Sequence, residues 1–264
     1  MSASFSSERI QRTLIKQKIK FVLAQSLGTL INKVVPFDEP LILNYHGISL
    51  NNQNASDIND VKYEDFMAQI RMLQILGFKF LSLSEFIELY NKGELTSSHC
   101  LITFDDVPLS FLSAAKFLAF NNIPFAVFIC VAYANSKNKY WCTWEDLKKV
   151  EAFSKAEFGS HSIYHRRLPK VKLADTLKEI EQSFDDISIR LSGLVRAFAF
   201  PYGAFNLNLL EELNKSKIYP LLLTDTLMRT ETIRKYNAFR RISVGLYDSK
   251  KIFISKINGR YRFL

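Results

Sequence analysis

The chain has 264 residues, 48% of them apolar and 13% aromatic, which is enough to bury a large core and excludes a disordered chain. This length fits one α/β barrel or two small domains. With 35 Lys and Arg against 26 Asp and Glu the formal charge is +9, which suits nucleic acid, an anionic membrane face or an acidic substrate without choosing among them.

Residues 1–38 predict a basic amphipathic helical segment. Ile10, Leu14, Leu23, Leu27, Leu30 and Ile31 recur at roughly helical spacing among Arg12, Lys16, Lys18 and Lys20. These interruptions leave no secretory signal and no bilayer span, so the expectation is a cytoplasmic protein. The segment either lies on an anionic membrane face or covers the end of a barrel with its lysines in water.

From residue 39 onward, apolar strand-like runs alternate with helical patterns. Strands are expected at 41–48, 78–83, 100–104, 124–131, 157–161, 196–200 and 220–223, with helices near 63–76, 84–91, 110–121, 143–153, 172–191 and 206–217. Near-continuous apolar strands belong to parallel sheets covered on both faces. About seven of them, each followed by a helix, predict an α/β fold over 39–264, a distorted (β/α) barrel of parallel strands. Cys100, Cys130 and Cys142 read as buried thiols without a disulfide framework.

Barrels gather their functional groups at the C-terminal ends of strands, and the polar residues here cluster there. "LILNYHGI" reaches His46, "CLITF" runs into Asp105 and Asp106, "EFGSH" ends on His161 with His165 beyond, and "RAFAF" is followed by Pro201, Tyr202 and Gly203. His99 precedes a strand and reads as a surface residue. Two adjacent carboxylates raise each other's pKa unless a cation or a proton is shared, although a solvated turn or a helix N-cap also accounts for such a pair. His161 and His165, four apart, meet one cation if the segment turns helically, or else form a helix surface pair. Taken together, one aspartate and two histidines make a three-ligand set, and the second aspartate is left as a base.

"TFDD" at 103–106, "SHSIYH" at 160–165 and "FAFPYG" at 198–203 resemble, in that order, the first three motifs of the polysaccharide deacetylases, the NodB-homology carbohydrate esterases. The resemblance runs from about Pro40 to about Ser243 and includes the "WEDL" helix; the early "YHGI" resembles the poly-N-acetylglucosamine deacetylase branch. It implies that Asp106, His161 and His165 hold a divalent metal, zinc by default with cobalt, nickel or iron accepted. Asp105 would be the general base and the Tyr202 backbone N–H an oxyanion donor. His46 would be the acid, since no histidine follows His165. Pro201, Tyr202 and Trp144 would contact the substrate, an N-acetylated oligo- or polysaccharide, and nucleic acid is not expected as a partner. The implied reaction is hydrolysis of the N-acetyl group of an amino sugar in a surface polysaccharide or its lipid-linked precursor. Removal of a formyl group from a formamido sugar, or a carbohydrate-binding homologue without turnover, are the other readings. Two departures stand out. Ala199 occupies the place of an arginine that orients the base, and Val107-Pro108 replaces the usual glycine, which disfavours a positive φ at Val107 and predicts a different turn.

Overall fold

The computed structural model describes residues 39–50, 59–153, 155–217, 219–225 and 233–258; the expected N-terminal helical segment lies outside them. The strands are β1 (Leu41–Tyr45), β2 (Ile48–Ser49), β3 (Val61–Lys62), β4 (Lys79–Leu81), β5 (His99–Asp105), β6 (Phe125–Ile129), β7 (Ala156–Ser160), β8 (Leu194–Ala199), β9 (Leu221–Thr224), β10 (Ala238–Arg240) and β11 (Ile242–Ser243). The helices are α1 (Tyr63–Ile75), α2 (Leu83–Lys92), α3 (Leu112–Phe120), α4 (Val131–Ala134), α5 (Trp144–Glu151), α6 (Leu173–Ser188), α7 (Leu207–Ser216) and α8 (Lys250–Ile257). Capping follows from sequence. Ser82 with Glu85 and Thr143 with Asp146 form capping boxes that open α2 and α5, and Gly93 closes α2 at φ 70°.

Nine strands form one parallel sheet in the order β10-β9-β8-β7-β6-β5-β1-β11, with β4 added on β5. The two ends of this order are one stretch of chain. Residues 238–240 pair with β9 and residues 242–243 pair with β1, so the segment 238–243 closes the sheet into a (β/α) barrel and Arg241 sits at the seam. The expected seven strands are all present. The closing segment was not anticipated, because Arg240 and Arg241 interrupt its apolar pattern. His99 is also placed differently from expectation. It opens β5, is 9% exposed, and its Nδ1 accepts the Thr96 N–H, so it is a buried strand residue.

The chain divides into two units, Glu39–Leu246 and a second that includes residues 247–258. The described part of the second is α8 and its approach, with Ser249 as N-cap and Lys256 paired to Asp248 at 2.6 Å. No helix of the described residues is long and apolar enough to cross a membrane.

Side chains alternate across a strand, and in the barrel this period of two sorts chemistry by height. Ile42, Leu101, Phe128, Ala197, Ala199, Leu221, Leu223 and Phe239 pack into one buried cluster. Two residues further along the same strands come Asn44, Thr103, Asp225 and Arg241, which hydrogen-bond to one another or to Asp105. The apolar layer therefore supports a polar one at the C-terminal rim. Gly159 on β7 belongs to the packed layer. A Cβ there would lie 2.5 Å from Phe128 Cε1 and 2.7 Å from the Ala197 carbonyl oxygen, a backbone atom that cannot swing aside. Gly159→Ala is expected to cost about 1–3 kcal/mol from overpacking, read as a fall in melting temperature of roughly 2–4 °C per kcal/mol. An unchanged melting temperature would mean that the layer is looser than these distances imply.

Candidate active site

Successive strand residues point to opposite faces, so Asp105 and Asp106 can share a site only if the strand ends between them. It does. Asp105 is the last residue of β5, and Asp106 takes a left-handed φ of 64° that turns its side chain back to the rim. Val107 is left-handed too, at φ 52°, contrary to what Val107-Pro108 suggests. The conformation is held because Val107 is fully buried, its N–H reaches the Asp105 carbonyl at 2.7 Å, and its own carbonyl accepts the Cys142 N–H at 3.0 Å. A β-branched residue there costs about 1–3 kcal/mol, a strain found mainly at functional sites.

His161 and His165 are also brought together by left-handed residues. The segment 162–165 is not helical. Ser162 at φ 67° and His165 at φ 51° fold it back, and the Ser162 hydroxyl accepts the His165 N–H. The ligand atoms of Asp106, His161 and His165 all lie within 4.8 Å of one another. Asp106 Oδ1 is 3.7 Å from His161 Nε2 and 3.3 Å from His165 Nε2. His161 Nδ1 donates to the Ala199 carbonyl at 2.8 Å, since a carbonyl can only accept. Its Nε2 therefore presents a lone pair to the cluster.

Protonation suits a cation. Burial pushes the Asp106 carboxyl up, the cost of an anion lacking its counter-charge. Burial likewise lowers His161, and lowers His165 to about 4, so both imidazoles are neutral. Asp106 Oδ1 is buried without a hydrogen-bond partner among the described residues. A divalent metal fits this donor set.

Asp105 is held differently. Arg241, whose side chain is fully buried, donates from Nη1 to Oδ1 at 2.8 Å and from Nη2 to Oδ2 at 2.5 Å, and Asn44 Nδ2 adds a bond to Oδ2 at 3.1 Å. Arg241 is held in turn by Asp225 at 3.0 Å, and Asn44 bridges to Asp225 as well. Burial alone would raise the Asp105 carboxyl. The Arg241 guanidinium outweighs that and holds it well below the usual carboxylate range. The base is orientated by Arg241 from the closing strand, while Ala199 is one of the small side chains of the barrel interior. Sequence reasoning missed Arg241, Asn44 and Asp225. The available signal was their step of two from inward-facing Phe239, Ile42 and Leu223.

The remaining expected residues are placed as follows. His46, just beyond β1, is in electrostatic reach of Asp105, Asp106 and His165, and its Nδ1 is buried without a partner among the described residues. A Cβ on Gly47 would fall 2.1 Å from Asp60 Oδ1 and 2.7 Å from Ser110 Oγ, so only glycine lets these groups pack against the residue that follows His46. Pro201 and Tyr202 form a tight turn after β8. Tyr202, at φ 59°, is exposed, with its ring 4.5 Å from His165 and the Arg167 guanidinium over its face. Trp144 has its indole N–H on Asn135 and Arg190 over its ring.

Residues 92–220, which carry both aspartates, both histidines and the Pro201–Tyr202 turn, match the family model for polysaccharide deacetylase. Over these residues the chain resembles the polysaccharide deacetylases. It is similar to the poly-β-1,6-N-acetyl-D-glucosamine N-deacetylases of Staphylococcus aureus strain MSSA476 (26% identity over 189 residues, 63% of this chain and 65% of that one). The Staphylococcus epidermidis protein of the same name is 26% identical over 212 residues, 71% of this chain and 73% of its own. The match thus spans a little under two thirds of the S. aureus relative. Among solved structures, the fold is that of the Streptococcus pyogenes deacetylase PplD in complex with acetate, with a TM-score of 0.72, 21% identity, and coverage of 84% of this chain and 99% of that one. IcaB from Ammonifex degensii shares it at a TM-score of 0.69, 19% identity, and coverage of 85% and 98%.

Proposed function

We propose that the chain is a metal-dependent N-deacetylase that hydrolyses the acetamide of N-acetylglucosamine units in a surface glycan or its lipid-linked precursor. The observation that carries this reading is the rim itself: a His₂–Asp set whose ligand atoms lie within 4.8 Å of one another, beside a second carboxylate held by a buried arginine. The names of the staphylococcal relatives support the sugar.

A divalent metal on Asp106, His161 and His165, zinc by the character of the donors, would supply Lewis acidity to the acetyl carbonyl and the attacking water. The chain's own groups do the rest. Asp105 is held in its basic form by fixed donors, and its Oδ2 lies 3.7 Å from His161 Nε2, on the side of the cluster, where it takes the water's proton. The Tyr202 backbone N–H at the left-handed turn stabilises the developing oxyanion. His46 gives the amine nitrogen the proton it needs to leave.

Acetate release from poly-β-1,6-N-acetylglucosamine and from chitooligosaccharides, before and after a chelator, tests this reading. Activity that survives complete chelation would rule out the metal-dependent route. The acid has its own test. An aryl acetate expels its leaving group without protonation, so His46→Ala should lose about 10²–10⁴-fold on the amide and little on the ester. Equal losses on both, with metal still bound, would mean that His46 shapes the site and the proton comes from elsewhere.

A further inference from the structure

Aromatic rings border the site next to His165, and the reaction chemistry above uses none of them. Trp141 lies face to face on Tyr133, centroids 4.0 Å apart and planes 5° apart, and Tyr140 meets the indole edge-on at 4.5 Å. Tyr133 lies in turn 5.6 Å from the His165 ring. This wall is anchored to the loop that carries Asp106. Leu109 N–H reaches the Tyr140 carbonyl at 2.7 Å, and Cys142 N–H reaches the Val107 carbonyl at 3.0 Å. All three rings are partly exposed.

The Tyr133 hydroxyl is uncommitted. It has no hydrogen-bond partner among the described residues, and the residue is only partly buried. A partly open ring stack with a free donor at its edge suits a pyranose, whose C–H groups pack on aromatic rings while its hydroxyls seek a few placed polar atoms. Trp144 lacks this availability, because Asn135 takes its indole N–H and Arg190 covers its ring.

We propose that Tyr133 and Trp141 form the sugar-recognising wall of the site: the hexopyranose bearing the acetamide packs along the stacked pair, and the Tyr133 hydroxyl donates to one of its oxygens. This rests on the reading of the substrate as an N-acetylhexosamine. It makes the pair a determinant of specificity, distinct from the groups that perform hydrolysis.

The chain has two tryptophans, so fluorescence can assign the contact. In Trp144→Phe the remaining indole is Trp141, and titration with an N-acetylglucosamine oligosaccharide should quench and shift its emission. In Trp141→Phe the remaining Trp144 should be silent to the same titration. Tyr133→Phe keeps the stack and removes the donor, and should raise KM for the oligosaccharide by about 3–10-fold while leaving metal content at the wild-type level. A response from Trp144 alone, or from neither indole while the wild type releases acetate, would overturn the wall and leave the deacetylase reading standing. Sugar-dependent emission from Trp141 in a protein that releases no acetate would uphold the wall and sink the deacetylase reading. Loss of metal in Tyr133→Phe would overturn the wall by making the stack a brace for His165.

Discussion

Asp105→Asn is expected to keep its metal and lose roughly 10²–10⁴-fold in rate, whereas Asp106→Asn is expected to lose the metal itself. The two side chains are neighbours in sequence, yet their surroundings are opposite. Asp105 has both oxygens engaged by Arg241 and one by Asn44, which saturates it with donors and leaves it a poor ligand but a well-orientated base. Asp106 faces the two imidazoles with Oδ1 unpartnered among the described residues. Elemental analysis and initial rates on both variants decide the matter. Metal retained in Asp106→Asn and lost in Asp105→Asn would reverse the assignment.

Much of this arrangement is legible from the chain because a parallel barrel imposes two simple rules. Apolar runs mark its strands, and the polar residues that end those runs mark its rim, which is how His46, Asp105, Asp106, His161 and Tyr202 stand out. What the sequence conceals is backbone conformation. Nothing in "DDVP" or "HSIYH" announces left-handed residues at Asp106, Val107, Ser162 and His165, since the glycines that normally mark such positions are absent and tertiary contacts impose the turns instead. The final strand was concealed for another reason. Its central residue is charged, and a fully buried arginine is rare unless paired, so "AFRRIS" reads as surface until Asp105 and Asp225 are seen to converge on it from other strands.

That buried arginine carries the other large expectation. Arg241→Met preserves much of the side-chain volume over Phe128 but leaves Asp105 buried without its counter-charge, a change that typically costs about 3–5 kcal/mol. The sign of its pH dependence follows from Asp105. In the wild type the folded carboxyl lies below its unfolded value, so the pair stabilises the fold above the unfolded carboxylate pKa of about 4 and that stabilisation is lost as pH falls through the depressed folded value. Without Arg241, burial dominates and the folded carboxyl rises instead. The deficit should therefore be largest at neutral pH and shrink as the pH approaches about 4. The acidic limb of the activity profile should move upward for the same reason, because the base must now be deprotonated against burial. Denaturant melts of wild type and Arg241→Met at several pH values measure the first effect, and pH–rate profiles measure the second. The double variant Asp105→Asn with Arg241→Met completes the cycle. Removing both charges takes away the buried carboxylate at 105 and leaves only the partly exposed Asp225 without Arg241, as in the single variant, so its stability should exceed that of Arg241→Met alone. If it lies below the wild type by the sum of the two single losses, Arg241 stabilises the barrel seam independently of Asp105 and does not act through the base.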